Sequence, residues 1–230
     1  GNWFSDGAQG PGLHPSFGFV TVRSAIDDLL DEVLARTEVI HFGDSDVLAT
    51  GMREGGISEA SATRMVHLAE AAEAAGADVI FSVCSSLGPS MDIARSRVRT
   101  PIVKIDHAMA LQAAQQGTDI GVLATVPTTL KPTSDLILEK AAEIGREVRI
   151  HQRLSEGAFD TLTSGDRGRN DDMVSREAAV LAKDVDLIVL AQASMSRLAG
   201  RLQDETGRPV LASPRLDDQF QGVRLACRAR

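Results

Sequence analysis

Short apolar runs rich in Val, Ile and Leu recur along the chain, each followed by small and polar residues. "FGFV" (17–20), "EVIHF" (38–42), "DVIFSV" (78–83), "PIVKI" (101–105), "IGVLAT" (120–125), "EVRIHQ" (147–152), "DLIVLA" (186–191) and "PVLASP" (209–214) read as strands. Longer amphipathic stretches lie between several of them. "ISEASATRMVHLAEAAEAAG" (57–76) predicts a helix with Ser58 as N-cap and Gly76 as its stop, and "LKPTSDLILEKAAEIG" (130–145) predicts another. Strands that are almost wholly apolar must be covered on both faces, and their alternation with helices predicts an α/β fold with parallel sheets.

The strand pattern repeats. "DVIFSVCSS" from Asp78 resembles "DLIVLAQAS" from Asp186, and "RTPIVKID" around Pro101 resembles "GRPVLASP" around Pro209; both pairs are 108 residues apart (78 to 186, 101 to 209). "FGFVTVRSA" and "IGVLATVPT" align through Gly18 and Gly121, 103 residues apart. Two pseudo-symmetric lobes follow, each presenting strand-end loops to a shared cleft. The expected organisation is a loosely ordered leader over 1–16, lobes over 17–115 and 116–216 with strands free to cross between them, and a tail over 217–230.

The 230 residues are 43% hydrophobic, enough for sizeable cores, and the net charge of −8 argues against nucleic acid as a partner. No apolar stretch is long enough for a membrane helix, and no signal peptide is evident; a cytoplasmic protein is expected. The two cysteines, Cys84 and Cys227, form neither a disulfide framework nor a zinc set, and the five histidines have no metal-ligand spacing, so no metal is assigned.

Ligands of open parallel sheets sit beyond the carboxyl ends of the strands. The residues there are Thr21 and Arg23, then Cys84, Ser85 and Ser86, then Asp106 and His107. The second half adds Thr125, Pro127, Thr128 and Thr129, then Gln192 and Ser194. Hydroxyls beside helix starts suit a small carboxylate, whereas the glycine patterns of nucleotide sites are absent. Cys84 precedes a helix start that can include Pro89, which favours a thiolate, while burial opposes it; the alternative is a small core residue. The threonines can equally be helix caps, and His107 can polarise a ligand or close a turn. Cys227 reads as tail. The glycine-rich segment 43–58 is either a mobile flap over the cleft or an ordinary surface loop.

"SVCSSLGPS", "IGVLATVPTTLKPT" and "VDLIVLAQASMSRL" together resemble the aspartate/glutamate racemase superfamily, which includes glutamate, aspartate and hydantoin racemases, maleate isomerase and arylmalonate decarboxylase. The resemblance runs from about Phe17 to Leu216. It implies two α/β lobes with the active site between them, no cofactor, a small carboxylate substrate and a homo-oligomer. It further implies two facing cysteines, one from each lobe, that remove and return a proton. Cys84 matches the first, and the "CSS" and "PTT" loops match the carboxylate cradle. Where the second cysteine is expected the chain reads Gln192-Ala193-Ser194, and only Ser194, with help, could relay a proton. The expected activity is therefore a cofactor-independent isomerase or racemase with Cys84 as base or nucleophile. The alternatives are a decarboxylase of a substituted malonate-like acid and a non-catalytic carboxylate binder on the same scaffold.

Overall fold

Residues 39–213 are described by a computed structural model; "FGFV", Thr21 and Arg23, with the leader and tail segments, lie outside the described residues. Six strands and eight α-helices follow in order. They are α1 (Ser45–Glu54), α2 (Glu59–Ala74), β1 (Ile80–Ser82), α3 (Gly88–Ala94), β2 (Ile102–Lys104), α4 (His107–Gln116) and β3 (Asp119–Ala124). Then come α5 (Pro127–Glu143), β4 (Arg149–Leu154), α6 (Ala158–Thr163), α7 (Arg167–Leu181), β5 (Leu187–Leu190), α8 (Ala199–Thr206) and β6 (Val210–Ala212). Strands β1 and β2 form one parallel pair, and the other four form a parallel sheet in the order β4-β3-β5-β6.

The four-stranded sheet shows why its strands read as continuous apolar runs. Ile120, Val122 and Ala124 of β3, with Leu187 and Val189 of β5, pack against Met109, Ala110 and Ala113 of α4 and Leu136 and Ile137 of α5. Leu123, Ile188 and Leu190 point the other way, onto Ala158, Val174, Ala178 and Leu202 from the helices of the opposite face. Both faces are thus apolar, with period two. Gly121 marks a close approach: a Cβ there would lie 2.7 Å from Leu181 Cδ2.

The amino ends of the same strands carry acids. The Asp186 carboxylate accepts from the N–H groups of Thr118 and Asp119, at 2.8 and 2.9 Å. Asp119 accepts from Arg149, which binds it with both Nε and Nη2, and lies 3.0 Å from His151 Nε2. The Arg149 guanidinium, helped by His151, holds the Asp119 carboxyl at about 2.

Helix α2 starts and stops where the sequence predicts. Ser58 Oγ accepts from Ser61 N at 3.3 Å, and Gly76 takes φ 87° just after the C-cap. Two expectations are corrected. Residues 39–42 are not a strand: they pair with no described strand, and Ile40 is 58% exposed. An apolar pattern sets which faces can be buried, but a strand also needs a partner edge for its backbone groups. The segment 43–58 is not a simple loop, because most of it is α1. Asp44 caps α1 by accepting from Asp46 N and Val47 N, and Arg64 of α2 clamps Asp44 and Asp46. Its glycines have structural uses: Gly55 ends the helix at φ 74°, and a Cβ on Gly51 would lie 2.5 Å from Ile57 Cδ1.

The repeat is present in the backbone. Ile80 pairs with Ile102 as Ile188 pairs with Val210, and each first residue donates to the proline before its partner strand, Pro101 or Pro209, at 2.9 Å. Helix α2 begins after Ser58 and α7 after Asp166, again 108 residues apart (58 to 166).

Two stability predictions follow from these layers. Ile188→Ala, in the fully buried centre of β5, should cost about 2–5 kcal/mol in urea denaturation. Asp119→Asn should weaken the fold at neutral pH and flatten its acid response. The wild-type carboxylate stabilises above its ordinary value near about 3.9, and that contribution is lost as pH falls through the folded value of about 2. Equal acid profiles for the two proteins would show that the Asp119 pairs do not support folding.

Candidate functional site

Strand β1 hands the chain to a tight turn. Cys84 is still extended, at φ −127° and ψ 110°, and residues Ser85–Leu87 then form one 3₁₀ turn closed by Leu87 N donating to Cys84 O at 3.1 Å. Helix α3 starts directly behind it with Pro89 in its first turn, where a missing N–H costs nothing. The strand therefore delivers the Cys84 sulfur to a place where N–H groups converge. Burial pushes the thiol up, and the negative charge of Asp106 adds to this; the Leu87 and Ser86 N–H groups and the Ser86 hydroxyl pull it down. Burial is the larger influence.

The corresponding place in the second repeat is occupied by Gln192. Met195 N donates to Gln192 O at 3.0 Å, repeating the Leu87–Cys84 bond 108 residues on (87 to 195, 84 to 192), and Gln192 is extended at φ −137° and ψ 137°. Its side chain is committed to the neighbouring loop. Gln192 Oε1 accepts from Thr125 N at 2.6 Å, Thr125 Oγ1 at 3.1 Å and Val126 N at 3.2 Å. The position that in the first repeat holds a thiol thus holds an amide that fixes the start of α5.

That start faces the Cys84 turn. Thr128 Oγ1 lies 3.0 Å from Ser86 Oγ, and both residues are buried. Thr129 Oγ1 donates to Val126 O at 2.8 Å and so belongs to its own loop; Val126, not a threonine, is the N-cap of α5. Pro127 opens the helix on its exposed side, and Pro132 within it has no N–H to give the Thr128 carbonyl. Cys84, Ser85, Ser86 and Thr128 are brought together, framed by Thr125, Thr129 and Gln192. Ser194 is half-buried in the turn after Gln192, and its hydroxyl bonds to no described residue.

Asp106 and His107 separate. Asp106 is buried and shares a cavity of about 50 Å³ with Ser85, Lys104 and, across the gap, Pro132, Asp135 and Glu139 of α5. His107 instead feels a set of charged groups: burial lowers its basicity, and Lys140, Arg95 and Lys104 lower it further against Glu143. Sequence reasoning passed over Lys104, which is buried and donates to both Asp92 oxygens at 2.9 Å. Its signal was a lysine inside the otherwise apolar run "PIVKI". Among the described residues no group of three or more His, Cys, Asp or Glu could hold a metal ion, and no helix is long and apolar enough to cross a membrane.

Two parallel sheets flanked by helices, with polar strand-end turns, define an α/β protein of the racemase fold. Glutamate racemase RacE1 from Bacillus anthracis superposes with a TM-score of 0.71 at 15% identity, over 90% of this chain and 78% of that one. Allantoin racemase from Klebsiella pneumoniae superposes with a TM-score of 0.59 at 18% identity, over 91% and 84%. The chain belongs to the Asp/Glu/hydantoin racemase family, whose model matches residues 17–216. The hydantoin racemase of Rhizobium meliloti is 28% identical over 200 residues, covering 86% of this chain and 81% of that enzyme.

Removing the Gln192 acceptor leaves buried donors unpaired at the start of α5. Gln192→Ala should therefore cost about 1–3 kcal/mol in chemical denaturation, whereas Gln192→Glu, which keeps an acceptor beside a helix N-terminus, should retain most of the stability. Equal losses in both variants would count against the loop-fixing role.

Proposed function

We propose that this chain is a cofactor-independent isomerase or racemase that moves a proton at the carbon next to the carboxyl group of a small acid or hydantoin-like substrate, with Cys84 as its thiol. The observation that carries this reading is the Cys84 turn: a sulfur at a strand end, ringed by the N–H groups of Ser86 and Leu87 and the Ser86 hydroxyl, beside Thr128 of the other repeat. Membership of the racemase family and the relatedness to a hydantoin racemase support it.

In this mechanism the Cys84 thiolate takes the α-proton, forming S–H as the C–H bond breaks, and the electron pair moves into the carboxyl or carbonyl group. The resulting enolate is held by donors of the Ser85–Ser86 turn and of Thr128 at the start of α5, where the helix dipole favours negative charge. Return of the proton from Cys84 restores the same face. An amide is neither acid nor base at ordinary pH, so Gln192 does not supply the opposite face; in this reading Ser194, two residues on, relays a proton with the help of solvent.

The same substitution favours a second reading, in which chemistry is one-sided. A malonate-like acid loses CO₂ by C–C cleavage, the pair passes to the enolate, and Cys84 protonates a single face. Proton NMR in D₂O distinguishes the two. Deuterium should enter the α-position of an amino acid or hydantoin with wild-type protein, and Cys84→Ala should lower that exchange by at least about a thousandfold. Exchange with inversion supports the racemase, and CO₂ release from a 2-substituted malonate supports the decarboxylase. Full exchange in the Cys84→Ala protein would sink both.

A further inference from the structure

Four carboxylates line the cavity between the Ser85 turn and α5, and three of them have a cation. Lys104 neutralises Asp92, Lys131 neutralises Asp135 and Lys140 neutralises Glu139, at 2.9, 2.6 and 2.9 Å. Asp106 is the exception. It is 3% exposed and, although it occupies the N-cap position of α4, its side chain accepts no hydrogen bond from the helix and makes no ion pair among the described residues. Lys104 lines the same cavity, but its ammonium is committed to both oxygens of Asp92.

A side chain this buried is normally paired or hydrogen-bonded, and the Asp106 carboxylate faces the cavity instead. The cavity of about 50 Å³ has room for one small polar group. What complements Asp106 is a donor, either an ammonium or an N–H. A second carboxylate would meet like charge. Ser85 lies on the cavity wall, and the register that pairs Ser82 with Lys104 brings the ends of β1 and β2, which run on to Cys84 and Asp106, side by side.

We propose that Asp106 receives an ammonium or N–H group borne by the substrate next to its carboxyl carbon, and that this pairing releases Cys84 for reaction. Left unpaired, the Asp106 charge acts with burial against negative charge on the sulfur. A donor on the carboxylate cancels that field, so the thiol becomes reactive when a nitrogen-bearing ligand is seated and not when a nitrogen-free diacid is offered. The inference rests on Cys84 as the working thiol, but its readout does not require turnover.

The test is the rate of Cys84 alkylation by iodoacetamide at pH 7.5, followed on the Cys84 peptide by mass spectrometry. The probes are methylammonium, small enough for the cavity, and tetramethylammonium, which has the same charge but no N–H and a larger body. Methylammonium should speed labelling of the wild-type protein about three- to tenfold, the scale of up to one pKa unit, and tetramethylammonium should not. Asp106→Asn should label faster by a similar factor without either ion and should no longer respond to methylammonium. Equal effects of the two ions, or unchanged labelling in Asp106→Asn, overturns the proposal; if that variant does not fold, the two ions on the wild-type protein decide. Loss of this labelling response would leave α-proton exchange intact, whereas exchange that is indifferent to Cys84→Ala would remove the proposed function and leave the response standing.

Discussion

Strands β3 and β5 are sealed on both faces by helices, and that constraint governs where polar chemistry can reside. No side chain along Ile120–Ala124 or Leu187–Leu190 can be polar without an unpaired group in an apolar layer. Polar groups are therefore forced to the strand ends, and the two ends differ. At the amino ends Asp186 and Asp119 gather N–H groups and the Arg149 guanidinium, which ties strands together. At the carboxyl ends the chain turns into helices, and free N–H groups accumulate with serines and threonines. The amino ends are occupied by structural pairs; the carboxyl ends keep donors that a ligand can use.

The two repeats use the same backbone turn for different ends. In the first, the turn presents a thiol and the Ser86 hydroxyl, which reaches Thr128. In the second, Gln192 spends its carbonyl oxygen on Thr125 and Val126. One repeat thus carries the thiol, and the other fixes the loop that faces its turn. This division explains how the scaffold keeps its geometry without a second thiol: the amide holds the start of α5 by bonds that a cysteine, with its weak donor and acceptor, could not make as well.

Much of this was legible in the sequence where a local rule decides the outcome. Uninterrupted Val/Ile/Leu runs meant strands buried on both faces, Ser58 and Gly76 bracketed α2, and the spacing of Asp78 and Asp186 predicted a backbone repeat that extends to matching strand registers. The errors came where the outcome depends on a partner. Residues 39–42 have a strand's composition but no described edge to join, and the glycines of 43–58 signalled flexibility although Gly51 is small because Ile57 crosses it. In the candidate site, the members were identifiable by position and chemistry, but their pairing was not. Which threonine reaches Ser86, which is absorbed by Gln192 and which neighbours surround His107 depend on distances between segments that are not adjacent in sequence, such as Ser86 and Thr128.

A half-buried thiol raises a difficulty that the site itself addresses. Burial makes the proton hard to remove, yet the low dielectric that imposes this cost also strengthens every donor aimed at the sulfur or at a developing enolate. The Ser86 and Leu87 N–H groups are fixed by the turn that ends β1, so they require no reorganisation when charge appears. Desolvation and one nearby carboxylate both work against the thiolate, and of these only the carboxylate can be countered by a ligand. Under the proposal made for Asp106, selectivity and reactivity are linked through the same buried acid, because the group that satisfies it also removes its opposition to the thiolate. In the proposed arrangement a site with one thiol gains: lacking a second sulfur to share the proton, it keeps its single thiol inert until the complementary partner arrives.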